Sequence, residues 1–188
     1  MFWYYFLFWT YFLYKRLIQP KTMNSKILLP ETCTAVVKTS FGSVGVWTQL
    51  EKIRAIHIFP GIFMEKMPQD TVSAEAVRQI QHYLTQPGMR LDLPVDVEGT
   101  EIHRKIWLEL MAIPCGKAKT YGELGSILHF SPKVISEACE ANPLALYIPS
   151  HRAIAISGPK GPLGEGDPSH PQVRTKYWLL KHEGFLHA

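Results

Sequence analysis

The chain has 188 residues, 46% of them hydrophobic and 19% charged, which supplies a real apolar core and excludes a disordered segment. Its three cysteines, Cys33, Cys115 and Cys139, lack paired spacing, so no disulfide framework and no structural zinc site is expected; a reducing compartment suits them. The net charge of +4 permits an anionic partner without demanding one, because from Thr100 onward 10 Lys and Arg stand against 8 Asp and Glu and form no dense basic stripe.

Residues 1–14 hold 10 of the 22 aromatics. Only 13 residues lie between Met1 and Lys15-Arg16, against the ~20 that a membrane-spanning helix needs. The charges follow the apolar run instead of preceding it, and no Ala-x-Ala cleavage pattern appears, so a secretory signal is not expected either. Trp and Tyr favour membrane boundaries, which keeps an interfacial anchor as one reading. The plainer expectation is a folding unit that starts near Met23, with 1–22 as an extension outside the fold.

From Thr34 to Phe59 the pattern is strand-like: Ala35-Val36-Val37, Val44 to Trp47 and Ile53 to Phe59 predict two or three antiparallel strands. Ser73 is the expected N-cap of a helix with Val77, Ile80 and Leu84 on one face, closed by Pro87-Gly88. Leu91 to Val97 reads as an extended connection. Beyond it, Thr100 is expected to cap a helix carrying Ile102, Ile106, Trp107, Leu110 and Met111. Thr120 with Glu123 forms a capping box for a short helix, and Ser131-Pro132 opens a third that runs to about Ala141. The last two have the size of a helix-turn-helix. Spacing alone does not make such a pair a DNA reader, and Glu137 and Glu140 would repel phosphate.

Leu144 to Ile148 reads as a buried strand running into Pro149-Ser150-His151-Arg152. Ser150 as nucleophile, His151 as base and Arg152 as anion contact is the chemical reading; a turn with local backbone bonds is the plain one. A serine hydrolase lacks support from any Gly-x-Ser-x-Gly elbow.

The order of motifs carries more. The run Leu93 to Thr100, then Arg104-x-x-Trp107, Ala112-Ile113-Pro114-x-Gly116, Thr120-Tyr121-Gly122-Glu123-Leu124, Ala138-Cys139-x-Ala141-Asn142, Ile148 to Arg152 and Lys176 to Gly184 resembles the O6-alkylguanine-DNA alkyltransferases. The resemblance is weaker but collinear over Thr34 to Pro87. It implies an α/β fold: a small antiparallel sheet-plus-helix N-terminal domain (23–92) and a helical C-terminal domain (93–188) with a DNA-binding helix-turn-helix. It also implies binding of duplex DNA containing alkylated guanine, flipped from the stack through the minor groove. By position, Tyr121 would crowd the phosphate, Asn142 would hold the turn after the recognition helix, and His151, oriented by Glu183, would act through a water as base. Arg152 would support the site on the DNA side, and Gly158 with Gly161 would shape the pocket loop.

Three departures follow. The family's acceptor cysteine is Ser150 here, a far weaker acid and a poor nucleophile at an alkyl carbon. Its stack-inserting arginine falls on Lys133, which keeps charge but loses the planar fork. Its pocket tyrosine falls near Leu163, beside an insertion at 164–172. The expectation is a lesion-recognising DNA-repair protein without irreversible transfer. Transfer to another acceptor such as Cys139 is one alternative, and a Ser150/His151/Glu183 hydrolase is another. Expected partners are DNA and other repair proteins, with no cofactor, metal or membrane. A monomer inside the cell is expected, in the nucleus of a eukaryote or the cytoplasm of a prokaryote.

Overall fold

The computed structural model describes residues 30–156 and 170–186, so the aromatic extension lies outside the described residues. Runs rich in β-branched residues form β1 (Ala35–Thr39), β2 (Gly42–Gln49) and β3 (Lys52–Phe59), paired antiparallel in that order. Leu50 and Glu51 join β2 to β3 with φ of 50° and 57°. Two left-handed residues in a two-residue loop give the hairpin a turn whose twist matches its strands. Val44, Val46, Ile53 and Ile56 are buried in one core with Ala76, Ile80 and Tyr83 of helix α1 (Thr71–Thr85).

That helix begins earlier than the sequence suggested. Its N-cap is Asp70, and Ser73 is the third helical residue. Asp70 Oδ1 accepts from the Ser73 amide at 2.6 Å, while the Ser73 hydroxyl accepts from the Asp70 amide at 3.2 Å. Both residues are good caps; placing the carboxylate first satisfies one orphan amide with a charged acceptor and lets serine return the bond.

After α1 the chain runs extended beside β3, with the Ile53 amide donating to Pro94 O at 2.7 Å and the Asp96 amide to Ile53 O at 3.0 Å. Helix α2 (Glu101–Ala112) starts at Thr100, whose hydroxyl accepts from the His103 amide at 3.1 Å. The Thr120–Glu123 box opens α3 (Tyr121–Leu128), and Ser131 with Pro132 opens α4 (Pro132–Glu140). Helix α5 (Pro171–His182) closes the described fold. A two-residue parallel pair, β4 (Lys119–Thr120) with β5 (Ala153–Ile154), ties the start of α3 to the site loop.

The α3–α4 turn is tight. His129 closes α3 in the left-handed region at φ 58°, and a Cβ on Gly125 would meet Phe130 O at 2.5 Å. Only glycine lets the returning backbone come so close. Trp107 Nε1 donates to Ala138 O at 2.8 Å and fastens α4 to α2. Ile106, Leu110, Leu124 and Ile135 continue the apolar interior of the sheet half without a break. The architecture is thus the small antiparallel sheet plus helix, followed by a helical half carrying a helix-turn-helix. Among the described residues no helix is long and apolar enough to cross a membrane.

One expected element is absent. Leu144 to Ile148 is a turn, not a strand. Leu144, Leu146 and Ile148 are buried in alternation, but Leu146 is left-handed at φ 70° and the Ile148 amide returns to Leu144 O at 2.8 Å. Its start is hydrogen-bonded to the sheet: Ile56 N donates to Pro143 O, and Ala145 N to Ile56 O, both at 2.9 Å.

Candidate functional site

The loop from Asn142 to Arg152 is shaped by its own hydrogen bonds. Asn142 Nδ2 donates to Ile148 O at 2.8 Å and to Ser150 Oγ at 3.2 Å, while its Oδ1 accepts from the Leu144 amide at 2.9 Å. Pro149, at φ −79° and ψ 64°, is the centre of an inverse γ-turn closed by Ser150 N to Ile148 O at 2.8 Å. Residues Ser150–Arg152 then form a single 3-10 turn. Ser150 and His151 therefore part company, the first toward Asn142 and the second toward Glu183.

Glu183 is the electrostatic centre. Its side chain is 0% exposed and stands at the C-cap of α5, where the helix dipole disfavours a negative charge. Four donors hold it there. Arg152 Nε donates to Oε2 at 2.8 Å and Nη2 to Oε1 at 2.8 Å, Tyr83 Oη donates to Oε1 at 2.8 Å, and His151 Nε2 lies 2.9 Å from Oε1. Burial works against the carboxylate, yet the bonds from His151 and Arg152 prevail and hold its pKa down to about 2. Burial pushes the His151 pKa below its ordinary value, so the ring is neutral. A neutral ring beside a carboxylate puts its proton on Nε2 and leaves Nδ1 as the basic nitrogen. Arg152 Nη1 also donates to Ile113 O at 2.6 Å, so this buried guanidinium is engaged inside the protein. Gly116, at φ 74°, lets the chain pass where a Cβ would lie 2.9 Å from Glu183 O.

Above this network lies a cavity of about 170 Å³, lined by Ser150 and His151 from the loop, Tyr121 from α3, Ser136 and Cys139 from α4, and Lys176 from α5. Tyr121 Oη sits 3.1 Å from Lys176 Nζ. Burial pushes the Cys139 thiol up to about 12 and the Cys33 thiol up to about 12, and raises Cys115 as well. Among the described residues none of the three is in a disulfide. Lys133 is at the outer start of α4, its side chain 84% exposed and 3.9 Å from Glu137. Gly158, Gly161 and Leu163 lie outside the described residues. Among the described residues no group of His, Cys, Asp and Glu is placed to hold a metal.

The structure thus brings Ser150, His151, Tyr121 and Asn142 to one cavity and its floor, with Arg152 and Glu183 beneath, and sets Lys133 apart on the surface. Sequence reasoning missed Tyr83, which reaches Glu183 from α1 across 100 residues of chain. Its one signal was a tyrosine on the same face as Ala76 and Ile80, a position where a hydroxyl must find a partner.

The family model described as 6-O-methylguanine DNA methyltransferase, DNA binding domain, matches residues 101–185. The chain is 33% identical over 128 residues to the regulatory protein ada of Salmonella typhimurium, covering 67% of this chain and 34% of that protein. It is 37% identical over 90 residues to the methylated-DNA–protein-cysteine methyltransferase of the same organism, covering 47% and 49%. The chain therefore spans about a third to a half of the length of these relatives. In structure it is similar to the Mycobacterium tuberculosis O6-methylguanine methyltransferase, with a TM-score of 0.66 over 81% of this chain and 93% of that one at 20% identity, a likeness of fold.

Proposed function

We propose, from its likeness to the Ada and O6-alkylguanine-DNA alkyltransferase proteins, that this chain binds duplex DNA, takes an O6-alkylated guanine into the cavity, and holds it without irreversible alkyl transfer. The observation that carries this reading is Ser150: it lies on the cavity wall, pinned by Asn142, directly before the buried His151–Glu183 pair. The His151–Glu183 pair and the cavity wall beside it support a transfer-type site, and the residue at the acceptor position is a serine. Alkyl transfer needs a soft, anionic nucleophile, and a serine hydroxyl next to a neutral imidazole supplies neither property.

Cys139 does not fill the gap. With its pKa at about 12, fewer than about one thiol in ten thousand is thiolate at neutral pH. The hydrolase reading fits less well still. Ser150 Oγ is bonded to Asn142 rather than to His151, and the Ser150 amide, which an oxyanion would need, is spent on Ile148 O.

In this reading Tyr121 meets the backbone of the flipped nucleotide and Asn142 keeps the loop in register. Glu183 and Arg152 fix the floor, and Lys133 enters the space left in the stack. The partner is duplex DNA with an alkylated guanine, bound by one copy of the chain and passed to other repair proteins. No cofactor takes part.

Binding to a duplex with one O6-methylguanine is compared with binding to the unmodified duplex over a salt series, and the intact mass of the protein is measured afterwards. The expected result is a clear preference for the modified duplex, no mass gain for the natural chain, and a gain of one methyl group for Ser150→Cys. Equal affinities at every salt concentration would sink the recognition claim. A methyl adduct on the natural chain would sink the claim of no transfer.

A further inference from the structure

Lys176 has no part in holding Glu183 and none in the alkyl-guanine reading above. It is the one Lys or Arg among the described residues lining the cavity. Its Nζ lies 3.1 Å from Tyr121 Oη and 5.3 Å from the centre of that ring, and no carboxylate stands at ion-pair distance among the described residues. The other titratable groups on the cavity wall are Tyr121 of α3, Cys139 and Glu140 of α4 and His151 of the site loop. Burial brings the ammonium down to about 8 against a weak opposing effect of Cys139. At pH 7.5 about a quarter of such lysines are free amines, against roughly one in a thousand for an ordinary lysine.

A free primary amine does what a hydroxyl and a neutral imidazole do not: it adds to an aldehyde and holds it as an imine. An abasic nucleotide in duplex DNA has no base to unstack, so it leaves the helix at least cost, and its ring-opened sugar carries an aldehyde at C1′. The amine stands beside Tyr121, the residue that the proposed reading assigns to the backbone of the flipped nucleotide, which in that reading sets it on the side of sugar and phosphate. We propose that Lys176 gives the cavity a second ligand class, the aldehydic abasic deoxyribose, which it captures reversibly as an imine. This rests on the reading that the cavity receives an extrahelical nucleotide. The nitrogen lone pair forms a bond to C1′ and the carbonyl oxygen takes up a proton. The nitrogen then gives up its proton, and the C1′ oxygen leaves as water while the C=N bond forms. No oxidant or reductant enters.

Borohydride trapping tests it, because hydride added to the imine carbon freezes the link as a secondary amine. The full chain is incubated with borohydride and a duplex bearing one aldehydic abasic site, and separately with a duplex bearing tetrahydrofuran, which has no aldehyde. A covalent adduct is expected with the first duplex alone, with digestion placing the cross-link on Lys176. At least a tenfold loss of adduct is expected in Lys176→Arg, which keeps the charge but forms no imine. Mapping on the natural chain holds even if the variant folds poorly. A cross-link spread over other lysines, or one undiminished in the variant, overturns the inference. If the natural chain prefers the tetrahydrofuran duplex to unmodified DNA yet traps nothing, the imine is refuted and the flipped-nucleotide reading stands. If it prefers neither the tetrahydrofuran nor the O6-methylguanine duplex, both fall.

Discussion

Replacing Glu183 by glutamine removes the charge at the centre of the site and almost none of the volume. Its cost follows from the structure by two routes. Lowering the carboxyl from its ordinary value of 4.5 to about 2 is a gap of about 2.5 pH units, and at about 1.4 kcal/mol per pH unit it contributes about 3 kcal/mol. The second route counts what is left behind: Arg152 and its buried partners lose the one counter-charge they have among the described residues, which costs about 3–5 kcal/mol. Both routes give an expected loss of about 3 kcal/mol at pH 7. The sign with pH is fixed by linkage. A carboxyl with a depressed folded-state value stabilises fully above its unfolded value, near 4.5, and loses that contribution as pH falls toward 2. Glutamine does not titrate, so the gap between natural chain and variant should shrink by about 2 kcal/mol between pH 7 and pH 3. Urea unfolding of both proteins across that range measures it. A gap below about 1 kcal/mol at pH 7, or one unchanged at pH 3, would refute the claim that a charged, bonded Glu183 organises the site.

Tyr83→Phe removes one charge-assisted bond from Glu183 and should cost about 1.5–3 kcal/mol in urea unfolding; combined with Glu183→Gln, it should cost less than the sum, since both act on one contact. Gly125→Ala would gain helix propensity in isolation, but its Cβ meets Phe130 backbone at 2.5 Å, so unfolding should show a loss of at least about 1 kcal/mol, with weaker duplex binding by gel shift. Thr120→Ala deletes the acceptor for the Glu123 amide, and a fall of about 1 kcal/mol in stability is expected from chemical denaturation; no change would mean that the box adds nothing to α3.

The sequence was most informative where the determinants are local. Thr100, Thr120 with Glu123, and Ser131 with Pro132 announce their helices because a cap acts within one turn, and the structure shows each of them. Ser73 failed for the same local reason: Asp70, three residues earlier, is an equally good cap, and only the docking of α1 on the sheet, with Thr48 donating to Asp70, decides between them. Leu144 to Ile148 failed differently. Alternating burial of Leu144, Leu146 and Ile148 is the signature of a strand, yet a turn folded around one core delivers the same alternation. The difference matters for chemistry. The turn places Pro149 where its γ-turn lifts Ser150 to the cavity and drops His151 to the floor. What no local pattern reveals is who meets His151 there. Glu183 arrives at the end of α5 and Tyr83 from α1, so the floor of the site closes only when both halves of the chain are packed. Loosening the sheet half should therefore disturb the site even though no residue of β1 reaches it. Tyr83 and Glu183 are the pair through which that disturbance would travel.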